Sequence, residues 1–305
     1  MDKSKSIVII GGSGFIGRHL IDLLLLKNYQ PIVVTRKLAK VAKHFSSKVT
    51  LKQWDSRNSD ELREIINGVN GIINLAGETI AVRWSRSKKE SILNSRIETT
   101  KAIVDAINKC INPPEIFLQG SAIGYYSYDS TELMNESSNS GRGFLSEVVT
   151  KWESIAKNAN PKTRLVILRT GVVLANDGGF ISKILPSVKS FFGGWFGNGN
   201  QYLSWIHIDD LTNSMLFLLE NSKSRGIYNA VTPNTVKFKV LVKGIGKRIN
   251  RPVWIPVPEF IIKLIYGEMA KEVLLANQKV SSAKLVESGF VFKYQTIDSA
   301  LDDLF

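Results

Sequence analysis

The sequence predicts an α/β protein: a doubly wound parallel β-sheet followed by a small C-terminal subdomain. Three observations predict it. Strand-like and helix-like segments alternate as far as about residue 175, the grammar of a parallel sheet with helices on both faces. The first apolar run, Ile7-Val8-Ile9-Ile10, shows no polar alternation, as expected of a strand buried on both sides. A glycine-rich turn then joins that run to an amphipathic helix, the opening of a βαβ unit.

The elements follow in order. Phe15 to Leu26 reads as the first helix, and Pro31 to Thr35 as the second strand. Gly71-Ile-Ile-Asn-Leu-Ala is strand-like. Ser91 to Asn108 carries Ile92, Leu93, Ile97, Ala102, Ile103 and Ala106 at helical spacing. Ile116 to Gly120 and Leu165 to Arg169 are further strands, with a helix from about Phe144 to Lys157 between them. Past residue 175 the pattern changes. Glycine-rich loops at 176–179 and 193–200 flank an aromatic helix, and Trp205 to Leu211 reads as a strand running into a helix. Pro252, Pro256 and Pro258 mark a looped connection. The expected division is 1–250 for the nucleotide-binding domain, with substrate-side loops at about 175–205, and 251–305 for a small helical C-terminal domain.

Composition excludes several classes. The chain has 305 residues, 44% of them hydrophobic and 22% charged, with a mean hydropathy of −0.01. That is the profile of a globular protein rather than of a disordered or membrane-spanning one. Cys110 is the single cysteine, so no internal disulfide framework exists. The N-terminal segment lacks the long apolar run of a signal peptide, and a cytoplasmic location is the expectation. The net charge is +13, a field that nucleic acid, an anionic membrane or an anionic small ligand could each use. The densest basic stretch is Arg83, Arg86, Lys88, Lys89, Arg96 and Lys101, with one aromatic, Trp84, and no nucleic-acid-binding motif. A solvated helix surface is the better account, with no nucleic-acid or membrane partner.

The turn Gly11-Gly12-Ser13-Gly14-Phe15-Ile16-Gly17 reads as a pyrophosphate cradle. Residues without Cβ let the backbone approach the ligand, and the helix N-terminus adds N–H donors and a favourable dipole. The alternative is a tight turn without a ligand. At the end of the second strand an Asp or Glu would bind an adenosine 2′-hydroxyl, whereas Arg suits a 2′-phosphate. Here the strand ends Val34-Thr35-Arg36-Lys37, and no acid occurs from Leu23 to Trp54. NADP(H) is therefore favoured over NAD, with Arg36 able to pair with phosphate and stack on adenine. A solvated basic helix start is the alternative.

Together these segments resemble the extended short-chain dehydrogenase/reductases. More closely they resemble the atypical "epimerase family" group, which is nucleoside-diphosphate-sugar-epimerase-like. The carrying pieces are GGSGFIG (11–17), NLAGETI (74–80), RW (83–84), NSRIETT (94–100), GSAIGYY (120–126), TKWE (150–153), LRTGVVLANDGG (168–179), GNGNQYLSWIHIDDL (197–211) and RPVWIPVP (251–258), with GEMA (267–270) beyond. The resemblance implies a Rossmann-type sheet with NADP(H) across the carboxyl ends of its strands. It places Gly11, Ser13, Gly14, Phe15, Ile16 and Gly17 at the pyrophosphate and Thr35, Arg36 and Lys37 at the 2′-phosphate. Leu75, Ala76 and Gly77 match the turn beside the adenosine and ribose. Glu78 and Arg96 are weaker matches toward cofactor or substrate, and Arg169 matches a strand end near the nicotinamide.

Such enzymes use Ser with Tyr-x-x-x-Lys, the Tyr shuttling a proton while hydride moves at the nicotinamide. No tyrosine here has Lys four residues later. In one frame the motif falls on Glu147 and Lys151, which keeps the Lys. In a shifted frame, with Glu153 as the family's downstream acid, both are lost. Ser121 remains where the resemblance places the family's serine, and Tyr125 follows it. The expected catalytic set is Ser121, Tyr125 and Lys151, with Glu147 as a weaker acid/base. The alternatives are a turn-capping Ser121 and a rim Tyr125. Trp195, Phe196, Gln201 and Trp205 line a substrate pocket or fill a core. Asp209 is expected to cap a helix, and no His, Cys and acid cluster in sequence suggests a metal. The functional expectation is an NADP(H)-dependent oxidoreductase or epimerase of atypical short-chain type, acting on a small carbonyl- or hydroxyl-bearing or nucleotide-sugar-like substrate. The alternative is an NADP(H)-binding sensor that has lost catalysis.

Overall fold

The computed structural model describes residues 5–305; Met1–Ser4, the start of the N-terminal segment read above, lie outside the described residues. Its centre is a seven-stranded, all-parallel sheet. In chain order the strands are β1 (Ser6–Ile10), β2 (Gln30–Thr35), β3 (Thr50–Gln53), β4 (Gly71–Asn74), β5 (Ile116–Ala122), β6 (Asp129–Met134), β7 (Arg164–Thr170), β8 (Val172–Leu174), β9 (Gly193–Phe196), β10 (Tyr202–Leu203), β11 (Trp205–His207), β12 (Gly226–Ala230), β13 (Val236–Lys237), β14 (Val253–Val257) and β15 (Asn277–Val280). The main sheet has the order β12-β7-β5-β4-β1-β2-β3. The chain winds outward from β1 through β2 and β3, then restarts on the other side at β4. This reversal leaves a crevice at the carboxyl ends of β1 and β4, where ligands bind in such sheets.

The helices are α1 (Phe15–Leu26), α2 (Leu38–Val41), α3 (Ser59–Ile66), α4 (Arg86–Lys109), α5 (Phe144–Ala156), α6 (Ile181–Lys189), α7 (Ile208–Glu220), α8 (Phe238–Arg248), α9 (Glu259–Tyr266), α10 (Ala283–Glu287) and α11 (Ile297–Leu304). β1 shows why its run has no polar alternation. Ile7 and Ile9 face a core built with Leu20, Leu24, Leu211 and Met215 of α1 and α7. Val8 and Ile10 face a second core with Leu62, Ile66, Ile103 and Ile107 of α3 and α4. Each such side chain contributes about 1.5–3 kcal/mol on burial, so either face would lose a core if the register slipped by one residue.

A third core joins α6, α8 and α11 through Ile181, Ile184, Leu241, Ile245, Leu301 and Leu304, with Trp195 and Trp205 inside it. Residues after 250 supply partners to the segments before them: β14 pairs with β9, and β15 with β6. Two expectations need correction here. Gly193 to Phe196, expected as a loop, is strand β9. A Cβ on Gly194 would lie 1.8 Å from the Ile255 carbonyl oxygen, so the glycine allows close strand pairing. Asp209 does not cap α7; the His207 side chain does, accepting the Asp209 N–H at 3.1 Å. No helix among the described residues is long and apolar enough to cross a membrane.

Candidate functional site

The glycine turn lies at the crevice. Gly11 has φ +81°, and a Cβ on it would lie 2.7 Å from the Leu75 carbonyl carbon and the Ala76 nitrogen. The turn after β1 and the Leu75-Ala76-Gly77 turn after β4 therefore pass backbone against backbone. Gly14 caps α1 without a side chain, and no acid occupies the first turn. The N–H groups of Phe15, Ile16 and Gly17 belong to that first turn, whose donors have no partner within a helix. With Ser13 they form a cradle that suits a pyrophosphate in shape and dipole. The Phe15 ring lies under the loop after β8, close enough that a Cβ on Gly178 would sit 2.3 Å from it. At the end of β2, Thr35 Oγ1 accepts the Lys37 N–H at 3.3 Å, and Arg36 and Lys37 are exposed.

Glu78 and Arg96 brace this wall. Lys88 donates to Glu78 at 2.7 Å and holds its carboxyl below the usual range. Arg96 donates to the Glu78 and Ile92 carbonyls at 3.1 Å. Burial pulls the Arg96 guanidinium down to about 10, against the pull of Glu78. Much of the basic stretch is spent in the same way. Lys89 pairs with Glu268, Arg86 with Glu90, and Arg83 donates to the Leu264 carbonyl.

Further along the crevice, β5 and β7 set Ser121 directly opposite Arg169. Between them reaches Glu153 of α5, only 2% exposed. Ser121 donates to Glu153 Oε1 at 2.6 Å. Arg169 grips the same carboxylate with Nε at 2.8 Å and Nη2 at 2.7 Å, the two-pronged geometry that gives strong, oriented pairing. Its third nitrogen donates to the Tyr126 hydroxyl at 2.9 Å, and Tyr126 donates on to Asn229 at 2.8 Å. Burial alone would lower the Arg169 pKa, but the bonds to Glu153 outweigh it and hold the guanidinium firmly charged. Burial pushes the Tyr126 phenol up. The Tyr125 ring lies over the guanidinium at 3.4 Å.

The structure therefore brings Ser121, Tyr125 and Arg169 together, with Arg169 as a buried brace rather than a residue at the cofactor surface. It does not bring Lys151 to them. Lys151 and Glu147 are exposed, and Lys151 lies about 200° around α5 from Glu153 at 100° per residue. Leu145 and Val149, two turns and one turn before Glu153, are buried on its side instead. Glu153 faces the site and Lys151 faces away, so α5 brings no lysine to Ser121. Sequence reasoning gave Glu153 no chemical role. Its spacing of eight and four from Leu145 and Val149 marks it as an inward-facing charge.

His207 does meet acids, contrary to the sequence reading. Its Nε2 is 3.4 Å from Asp303, and Asp209 and Asp303 carry ligand-capable atoms within 4.8 Å of one another and of the imidazole. Nδ1 already accepts the Asp209 N–H, so in the neutral ring the proton is on Nε2. The three groups meet where α7 and α11 pack, and the buried Nε2 has no hydrogen-bond partner among the described residues. Trp205 is buried in the third core, and Phe196 stacks on Phe238 at 5.1 Å.

Comparison with known proteins agrees with this fold. The profile of the NAD dependent epimerase/dehydratase family matches residues 7–230. The chain belongs to that family. A second profile, a domain of unknown function, matches residues 257–304. Among family relatives, the chloroplastic SDR39U1 homolog of Arabidopsis thaliana is 36% identical over 302 residues, covering 98% of this chain and 86% of the relative. YfhF of Bacillus subtilis is 33% identical, covering 98% and 97%. The human epimerase family protein SDR39U1, crystallised with NADPH, superposes with a TM-score of 0.88 at 29% identity over 98% of both chains.

Proposed function

We propose that this protein is an NADP(H)-dependent oxidoreductase, or an epimerase using the same hydride step, that acts on a small hydroxyl- or carbonyl-bearing molecule. A cytoplasmic location goes with this reading, supported by the single cysteine. The observation that carries the proposal is the Ser121–Glu153–Arg169–Tyr125 group on the same strand ends as the glycine cradle.

The cradle fits the cofactor. Ser13, Gly14 and the first turn of α1 would hold the pyrophosphate, Leu75 to Gly77 the adenosine side, and Arg36 with Lys37 the 2′-phosphate. NADP(H), when bound, supplies the hydride donor or acceptor. Ser121, its hydroxyl pinned by the hydrogen bond it donates to Glu153, flanks the substrate oxygen. Tyr125 carries the substrate's proton. The cation beneath its ring stabilises negative charge developing there. Arg169 holds Glu153 in place through two hydrogen bonds, and is a positioning residue.

Reduction of a carbonyl panel, followed by loss of the reduced nicotinamide absorbance, tests this reading. Ser121→Ala is expected to lower kcat about 100-fold with NADPH affinity unchanged. Arg36→Glu is expected to weaken NADPH about tenfold or more and to leave NADH unaffected. Equal NADPH binding by that variant refutes the phosphate assignment.

One observation favours a second reading, an NADP(H) sensor without turnover: no tyrosine has Lys four residues later, and Lys151 is exposed on the far side of α5 from Glu153. Tight NADPH binding with no turnover across the panel would select it.

A further inference from the structure

A cleft of about 220 Å³ lies where the loop between β9 and β10 meets the C-terminal elements. It is lined by Asn198, Asn200, Gln201, Glu259, Leu275 and Asn277. It adjoins the candidate site through the chain itself, because the Asn277 N–H donates to the Tyr128 carbonyl at 2.6 Å, three residues past Tyr125.

The lining is polar, but it offers no cation and carries one carboxylate. Glu259 occupies the first turn of α9, where its charge offsets the helix dipole that would otherwise attract an anion. Lys263 is engaged with Glu259 Oε2 at 3.0 Å. The lysines nearby lie on aromatic faces: Lys239 on Trp195 at 4.1 Å and Lys279 on Tyr202 at 4.1 Å. A diphosphate entering here would lose water and meet a like charge.

The remaining hydrogen-bonding groups are of both kinds. The side-chain oxygens of Asn198 and Asn277 accept the N–H groups of Asn200 and Tyr202, each at 2.8 Å, which leaves their amide nitrogens as donors. Gln201 donates to the Phe196 carbonyl at 3.3 Å and keeps its oxygen as an acceptor, as does Glu259 at Oε1. Donors and acceptors side by side match hydroxyl groups, which do both. The volume is below the roughly 300–1,000 Å³ of a pocket for a whole drug-sized ligand, so it suits one moiety.

We propose that this cleft binds a neutral, polyhydroxylated part of the substrate and discriminates against nucleoside diphosphates. The inference rests on the small-molecule reading above and deepens it.

Its test is ligand binding on the NADP⁺-loaded protein, independent of turnover. Saturation-transfer NMR is recorded with myo-inositol and D-glucose, and UDP-glucose affinity is measured by titration. Transfer to a neutral polyol is expected, falling at least about fivefold in Asn200→Leu and in Gln201→Leu. Asn200 is exposed and Gln201 half-buried, and wild-type NADPH affinity checks that each variant is folded. Glu259→Lys is expected to tighten UDP-glucose about tenfold. No transfer to either polyol, or equal transfer in the Leu variants, overturns the proposal. So does UDP-glucose binding that Glu259→Lys leaves unchanged. Each of these outcomes leaves the carbonyl-panel result, and hence the oxidoreductase reading, to stand or fall separately.

Discussion

Glu153→Gln isolates the brace behind Ser121. Glu153 and Arg169 are 2% and 1% exposed, so water cannot compensate either charge. The amide keeps nearly the shape of the carboxylate but removes its charge. Its NH₂ then either faces Arg169 Nη2, donor against donor, or turns toward Ser121 and Nε. Breaking one partner of a buried pair costs about 3–5 kcal/mol, because the other charge stays buried alone. At roughly 2.1 cal/mol/K of unfolding entropy per residue, that lowers Tm by about 5–8 °C. Thermal unfolding followed by circular dichroism, with reversibility checked, measures it. Adding Arg169→Met removes the stranded cation, and the double variant is expected to recover part of the loss. Full recovery is not expected, since Arg169 also bonds Tyr126 and supports Tyr125. A Tm loss under about 2 °C for Glu153→Gln, or no recovery on adding Arg169→Met, would refute the buried-charge reasoning.

Two further outcomes are expected. Gly11→Ala meets both a left-handed backbone and a contact of 2.7 Å; the conformation alone costs about 1–3 kcal/mol, and NADPH titration should show binding abolished, so wild-type affinity would disprove the cradle. Burial pushes the His207 pKa down, against the pull of Asp209, Asp303 and Asp210 and with that of Lys293. The unfolded chain therefore takes up the proton first below about pH 6.5, and stability falls as pH falls. The urea midpoint should drop between about pH 7.5 and 5.5, and drop less in His207→Asn, which keeps a capping acceptor; equal slopes would refute the linkage.

The five inner strands of the main sheet, β7, β5, β4, β1 and β2, were legible in the sequence because their signals are local; the two edge strands, β3 and β12, were not. Ile7 to Ile10 states its burial on two faces within four residues, and the glycine turn follows at once. The short strand pairs were not legible, because their cause is remote. Asp129 to Met134 has no strand pattern of its own and is a strand only because Asn277 to Val280 pairs with it. Glu153 was seen only as an alignment landmark. Nothing in its neighbours on the chain announces Arg169 and Ser121, which arrive from two other strands. Asp209 is not the cap because α7 already begins at Ile208, which puts the cap at His207. Asp210 accepts the N–H groups of Lys293 and Tyr294 at 2.9 Å.

The buried carboxylate of Glu272 closes the first turn of α5, accepting the Phe144 and Leu145 N–H groups at 2.9 Å each. Leu145 and Glu272 are 127 residues apart in the chain. At about 5–20 residues per second of synthesis, the helix carrying Glu153 waits roughly 6–25 s on the ribosome before its cap exists. Until then the sheet can assemble, but the end of that helix is open. Completion of the site is therefore timed by the tail of the chain, and a chain truncated before Glu272 would leave α5 frayed beside an otherwise formed crevice.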